Sequence, residues 1–392
     1  LSVLTGLPGV VLLLLSGLLI GRSGLGLVEP LDLGKGLETI VGLLVSLVLF
    51  DGGLNLRFPG GTIKSIVLRI SSIRLIISLA AGFFAAHWFA GLGWSVAGVY
   101  SAIVLATGPT VVTPLVRQIR LASPLSDVLE AEGLILEPIG AVLALLLLEL
   151  VVGDLHGWRE LLLGLLSRLG GGVLIGSIAG LLLSEGLKRL RSEPYIGIRL
   201  QLTLGVIFLL YGVCEWLLPE SGLPASVAAG FVVGQRPSTQ ANELDKLIRE
   251  LAQLAITMLF PLLAADVSWG ELSPLGWGGI TCVLFLMIVV RPIAVSIATY
   301  GLPLDNKQRL FLGWLAPRGI VTAAVASLFS IRLEQAGVLG AGKLQGLVFL
   351  TILMTVGIQG LTAQPLAKIL GLLDEDNNLE EPADTRSIFT ES

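Results

Sequence analysis

The sequence predicts an all-α membrane protein, a polytopic helical bundle with an inverted internal repeat. Three observations carry that expectation. Its 392 residues have a mean hydropathy of +0.89, with 54% hydrophobic and only 14% charged residues. A soluble domain is about 25% charged, and apolar runs of roughly 18 residues or more need lipid around them. Second, the alternating patterns of about ten residues that mark a membrane β-barrel are absent. Third, two of the apolar segments are broken midway by proline and glycine at corresponding places in the two halves of the chain.

Twelve apolar segments can be drawn, near 3–20, 37–52, 72–92, 94–116, 128–152, 161–184, 197–218, 223–235, 247–265, 274–299, 308–330 and 344–370. The connections between them are short and leave no room for an inserted soluble domain. Basic residues divide unevenly between alternate loops. The loops after segments two, four, six, eight and ten hold fifteen: Arg57, Lys64, Arg69, Arg74, Arg117, Arg120, Lys188, Arg189, Arg191, Arg199, Arg236, Lys246, Arg249, Lys307 and Arg309. The opposite loops hold five, namely Arg22, Lys35, Arg159, Arg332 and Lys343. By the positive-inside rule the first set is cytoplasmic, and so is the C-terminus. This is the pattern of a multi-pass protein of the cell inner membrane. Residues 373–392, with seven acidic side chains and few apolar ones, read as a solvated cytoplasmic tail or as the stub of a linker to a cytoplasmic regulatory domain. Gly172, Gly176 and Gly180 in segment six have the four-residue spacing that lets a neighbouring backbone approach, and packing within the chain is the favoured partner.

Several functions are excluded early. A net charge of −4 without a basic block gives no nucleic-acid face. Cys214 and Cys282 lie in apolar runs and read as small buried hydrophobes. With His87 and His156 alone, no histidine cluster can hold a transition metal. No nucleophile–base arrangement is visible, so no enzyme is expected, and no cofactor. The chain opens at Leu1 inside an apolar run without a basic n-region, which speaks against a signal peptide.

The breaks lie at Ala106-Thr107-Gly108-Pro109-Thr110 in segment four and Ala316-Pro317-Arg318-Gly319 in segment eleven. Proline lacks the N–H and clashes with the preceding turn, and glycine is loose. A carbonyl freed at membrane depth costs several kcal/mol unless it faces protein, water or an ion. Paired breaks therefore point to a substrate site at a repeat interface, with Gly108, Pro109, Pro317 and Gly319 forming it. Segments three to five correspond to ten to twelve, and one and two to eight and nine. Segment seven has no partner, so a thirteenth helix is expected ahead of Leu1.

A charge at the helix centre costs at least about 2.5–3.5 kcal/mol, so each one asks for a reason. Segment five carries Glu132 and Glu137, the latter followed by Pro138; segment ten carries Arg291, segment eleven Arg318, and Asp51 ends segment two. Five residues at about 100° each set Glu137 roughly 140° around the helix from Glu132. The two cannot form one dyad. One is expected to be tied to an arginine and the other left for a mobile ion. Pro138 frees a carbonyl one turn back, and hard oxygens from Glu137, Thr107 and the broken helix suit an alkali cation better than a transition metal. A carboxylate stripped of its water takes up a proton or a sodium ion, and only the neutralised group crosses the bilayer cheaply.

At these residues the chain resembles the monovalent cation–proton antiporters of the sodium/proton exchanger, NhaP-like type. The resemblance rests on Phe50-Asp51-Gly52-Gly53-Leu54-Asn55-Leu56, Ala106-Thr107-Gly108-Pro109, Glu130-Ala131-Glu132-Gly133-Leu134, Ser221-Gly222-Leu223 through Gly230 and Gly234, Arg291-Pro292, Ala316-Pro317-Arg318-Gly319 and Gln359-Gly360-Leu361-Thr362, and it covers nearly the whole chain. It implies an inverted-repeat antiporter fold of thirteen helices with two broken, crossing ones, working as a homodimer in membrane lipid. A core (about 72–152 and 274–370) would move against a scaffold (about 1–52 and 197–265) in an elevator-like motion, with 161–184 as linker. By that resemblance Glu137 is the ion-binding carboxylate and Thr107 a ligand beside it. Asp51 is an acidic position near the ion path, and Glu132 is the acid paired with Arg318 or Arg291. The family usually has aspartate where Glu137 stands, often a polar residue at Leu136 and aspartate at Gly108. Lacking a second carboxylate beside Glu137, the chain is expected to exchange Na⁺ (or K⁺ or Li⁺) for H⁺ one for one. A Na⁺-coupled symporter of an organic anion, with Arg318 as anion clamp, and a cation channel are the rival readings.

Overall fold

A computed structural model describes residues 9–30, 35–56, 61–190, 196–236, 241–267 and 269–373; the acidic tail beyond Leu373 lies outside them. Every named element is helical: α1 (Gly9–Ile20), α2 (Lys35–Asn55), α3 (Gly61–Trp88), α4 (Trp94–Ile103), α5 (Pro109–Ile119), α6 (Leu125–Val152), α7 (Trp158–Arg189), α8 (Ile196–Leu217), α9 (Gly222–Gly234) and α10 (Ala241–Ala265). The rest are α11 (Trp269–Ala298), α12 (Asn306–Trp314), α13 (Ile320–Gln335) and α14 (Ala341–Leu370). Among the described residues seven helices (α3, α6, α7, α8, α10, α11 and α14) are long and apolar enough to cross a membrane. The twelve apolar segments reappear in order, with segments four and eleven each split into two helices.

The split follows from the residues. Helix α4 stops at Ile103 and α5 begins at Pro109, where proline's missing N–H costs nothing. In the second half α12 ends at Trp314 and α13 begins after Gly319. Two π-helical turns, Leu286–Val290 in α11 and Thr355–Gln359 in α14, flank the second break and shift the residues that follow them around the helix.

Helix α9 packs between α2 and α7 through small residues. A Cβ added at Gly172 would lie 2.5 Å from the Ser221 carbonyl oxygen and one at Gly180 2.7 Å from that of Ala229, while at Gly176 it would overlap the Ala225 carbonyl. Gly230 and Gly234 meet the α2 backbone at Phe50 and Leu54 in the same way. The glycine stripe of segment six thus serves packing inside the chain. Helix α7 is also tied to α6 by Arg168 and Glu149 at 2.8 Å.

Several residues counted above as loop residues lie within helices, Lys64 and Arg69 in α3 and Lys246 and Arg249 in α10 among them, and two further ones are buried there. Arg74 and Arg199, counted above as cytoplasmic loop residues, lie within α3 and α8 and are 1% and 5% exposed. Lys64, Arg69 and Arg74 lower the local hydropathy, so segment three reads as starting near 72 although α3 begins at Gly61.

Candidate functional site

The two broken segments cross at their breaks. The Gly108 N–H donates to the Pro317 carbonyl at 3.3 Å. A Cβ on Gly319 would stand 2.5 Å from Gly108 Cα and 2.9 Å from Glu137 Oε1. Only glycine at both positions lets the backbones meet this closely, and the meeting point lies against the carboxylate of α6. The first residues of α5 and α13 converge there, turning the positive ends of two helix dipoles toward Glu137.

The carbonyls released by the breaks go to arginines. Arg318 donates to Leu105 O at 3.0 Å and Ala106 O at 3.2 Å, and Arg74 joins it at Leu105 O at 3.1 Å. Across the repeat, Arg291 donates to Leu312 O at 3.0 Å and Leu315 O at 3.3 Å, at the end of α12. Each truncated helix therefore has a guanidinium at its negative C-terminal end. On the other side of the second break, Gln359 Oε1 accepts the Ala316 N–H at 3.1 Å and Thr355 Oγ1 accepts the Arg318 N–H at 3.2 Å.

The two glutamates of α6 have opposite surroundings. Glu132, 1% exposed, is clamped by two guanidiniums: Arg74 Nη1 reaches Oε1 at 2.7 Å and Arg291 Nη2 reaches Oε2 at 2.9 Å. Glu137 is wholly buried, and neither of its carboxylate oxygens finds a hydrogen-bond partner among the described residues. It borders a small cavity walled by Ile103, Ala106, Ala141, Ala144 and Val325, with Thr322 as its other polar residue.

Of the sequence candidates, the structure brings Gly108, Pro109, Pro317, Gly319, Pro138 and Glu137 to one place. It sets three others apart. Arg318, a candidate partner for Glu132, caps the α4 end instead, and Arg74 takes its place. The reason is chemical: five-donor guanidiniums are the groups able to satisfy several freed carbonyls at once. The Thr107 hydroxyl accepts from Arg74 Nη1 at 3.1 Å, so it belongs to the Glu132 side. Asp51 accepts from Asn55 Nδ2 at 2.8 Å and lines a separate cavity with Pro109, Thr113, Arg117 and Arg249. The carbonyls of Leu105 and Ala106, expected to face an ion, face guanidiniums. Sequence reasoning missed Arg74, hidden by its reading as a loop residue, and Thr322, for which the sequence carries no signal beyond its place three residues after Gly319.

The same architecture occurs in known proteins. The family profile described as "Sodium/hydrogen exchanger, transmembrane" matches residues 1–369. The chain is similar to the Na⁺/H⁺ antiporter NhaH of Halobacillus dabanensis, at 26% identity over 384 residues and 93% of each sequence. It is similar to the probable Na⁺/H⁺ antiporter 2 of Methanocaldococcus jannaschii, at 24% identity over 394 residues, covering 93% of this chain and 92% of the relative. The structure of the sodium proton antiporter MjNhaP1 from the same archaeon at pH 8 matches with a TM-score of 0.80 at 25% identity, over 94% of each chain.

Proposed function

This chain belongs to the transmembrane sodium/hydrogen exchanger family, an integral multi-pass membrane family, and on that premise we propose that it exchanges Na⁺, with K⁺ or Li⁺ as the other candidates, for H⁺ by competition at Glu137. The observation that carries the proposal is the contrast between the two buried carboxylates of α6. Glu132 has its charge matched by two arginines; Glu137 has no partner among the described residues and a cavity beside it. A buried ionised carboxylate without a counter-charge is costly. A proton or an alkali cation removes that cost, and the site has one carboxylate for both. The loaded carboxyl is neutral with either passenger, whereas the bare carboxylate is not, which suppresses movement of the empty site and couples the two fluxes.

Exchange is then one for one, with the cytoplasm on the side of the Lys- and Arg-rich loops and of the C-terminus. A homodimer joined through the scaffold helices is part of the same proposal. Arg74, Arg291 and Glu132 hold the crossing in shape, and Asp51 lines the separate cavity that Pro109 also borders and is not a ligand in this arrangement.

The test is exchange in proteoliposomes carrying a pH dye. A Na⁺ gradient should drive a pH change across the wild-type membrane and none across vesicles holding Glu137→Gln, a substitution of nearly equal volume. Full exchange by that variant would remove Glu137 from the mechanism.

A further inference from the structure

An alkali cation takes several oxygens where a proton takes one, and Glu137 supplies two at most. The obvious further donors are already engaged. Leu136, its neighbour in sequence, is apolar. The Thr107 hydroxyl is held by Arg74, and the carbonyls of Leu105 and Ala106 are held by Arg74 and Arg318.

Thr322 is the exception. It lines the Glu137 cavity, is 3% exposed, and its hydroxyl has no hydrogen-bond partner among the described residues. Elsewhere in the bundle buried threonines return their hydroxyl to the carbonyl one turn back: Thr203 to Arg199 at 2.8 Å, Thr299 to Val295, Thr351 to Leu347 and Thr355 to Thr351 at 2.7 Å. Thr322 sits in the first turn of α13, so the residue four positions back is Arg318, ahead of the helix in the break. The break that forms the crossing thus also deprives Thr322 of its usual acceptor. Two buried polar groups, a carboxylate and a hydroxyl, face one small cavity, each with its hydrogen-bonding capacity unused. Such capacity is expensive to leave unmet, and a cation meets both demands at once.

We propose that the Thr322 hydroxyl is the neutral oxygen ligand of the transported cation at Glu137 and plays no part in the proton-loaded state, so that it sets the affinity for cation relative to proton. This rests on the exchange reading given above. For two ligands competing at one carboxyl, the apparent KM for Na⁺ is the intrinsic cation constant multiplied by one plus the ratio of proton concentration to the proton constant. Loss of a ligand specific to the cation scales the first factor alone.

Na⁺-driven exchange should therefore be measured over a pH series for wild type, Thr322→Val and Thr322→Ser. Thr322→Val keeps the shape and removes the oxygen; its KM for Na⁺ should rise about tenfold at every pH, the worth of one lost contact to a charged group. Its maximal rate should stay within about twofold, and the pH at which protons begin to raise KM should not move. Thr322→Ser should match wild type. An unchanged KM in Thr322→Val, an equal rise in Thr322→Ser, or a displaced pH midpoint would each overturn the proposal. Should Thr322→Val not be recovered as monodisperse protein, Thr322→Ala carries the same expectation. Glu137→Gln separates the two levels: an active Glu137→Gln sinks the exchange reading, whereas an inactive one beside an unaffected Thr322→Val sinks only the role of Thr322.

Discussion

Glu132 and Glu137 are chemically identical and five residues apart on one helix, yet their surroundings are opposite, and in the proposed exchange so are their roles. Their neighbours decide it. Glu132 lies between two guanidiniums, which fits a structural anion, since removing one partner of a buried ion pair leaves the others uncompensated, at a cost of about 3–5 kcal/mol. Glu132→Gln leaves both Arg74 and Arg291 without a carboxylate. Its chief effect should be on the folded protein, read as lower yield of monodisperse material and a fall in the thermal midpoint in detergent. A Glu132→Gln protein of normal stability with transport selectively lost would move this ion pair into the mechanism. Arg74→Met should behave as Glu132→Gln does, since it opens the same cluster. The sequence permitted much of this to be read in advance: helical periodicity alone separates the two acids, and the cost of burial says that one needs a cation. Arg291, one of the two candidate partners, does serve, but its companion was not readable: Arg74 lies 58 residues from Glu132 in a stretch whose charges disguise it as a loop, while Arg318, the other candidate, is drawn off by the Leu105 and Ala106 carbonyls that the break in segment four sets free.

At the scale of the element, the packing of α7 on α9 gives a paired test on a single helix. A Cβ at Gly176 overlaps the Ala225 backbone, whereas at Gly170, less than two turns earlier, nothing lies within 4 Å. Overpacking against backbone costs about 1–3 kcal/mol, while alanine in place of an unconstrained helical glycine gains about 0.5–1 kcal/mol. Gly176→Ala should lower the thermal midpoint and Gly170→Ala should leave it equal or raise it; the same sign for both would mean that close approach is not what holds α7 to α9. Helices were the legible part of this molecule. Long apolar runs and proline–glycine breaks are local signals, and the crossing of two breaks follows from the repeat. The π turns ahead of Arg291 and at Thr355 are not local in that sense. They lie where α11 presents Arg291 to Glu132 and to α12, and where α14 presents Thr355 and Gln359 to the second break. No window of the sequence announces them. The unused hydroxyl of Thr322 is invisible for the same reason, since whether a threonine bonds back one turn depends on where its helix begins.

The whole molecule enters through its charge count. Moving one elementary charge through a membrane potential is worth about 2.3 kcal/mol per 100 mV, so the number of charges carried per cycle is measurable even when the ions are not seen. Around the crossing the guanidiniums of Arg74, Arg291 and Arg318 and the carboxylate of Glu132 are fixed by hydrogen bonds within the fold and keep the same sum throughout. In the exchange proposed above, the group that changes its passenger is Glu137. With Na⁺ bound the carboxyl is neutral, and with H⁺ bound it is neutral again, so the two loaded crossings carry equal charge and a complete cycle moves none. An imposed diffusion potential of 100 mV of either sign, set with a gradient of a membrane-permeant anion so that no candidate alkali cation is moved, should therefore leave the direction and extent of Na⁺-driven exchange unchanged in proteoliposomes. A second carboxylate titrating in the cycle would bring an extra proton and an extra charge, and the same potential would then shift the exchange equilibrium by the full 2.3 kcal/mol, close to fiftyfold. That separation is wide enough for one experiment to decide between one acid at the crossing and two.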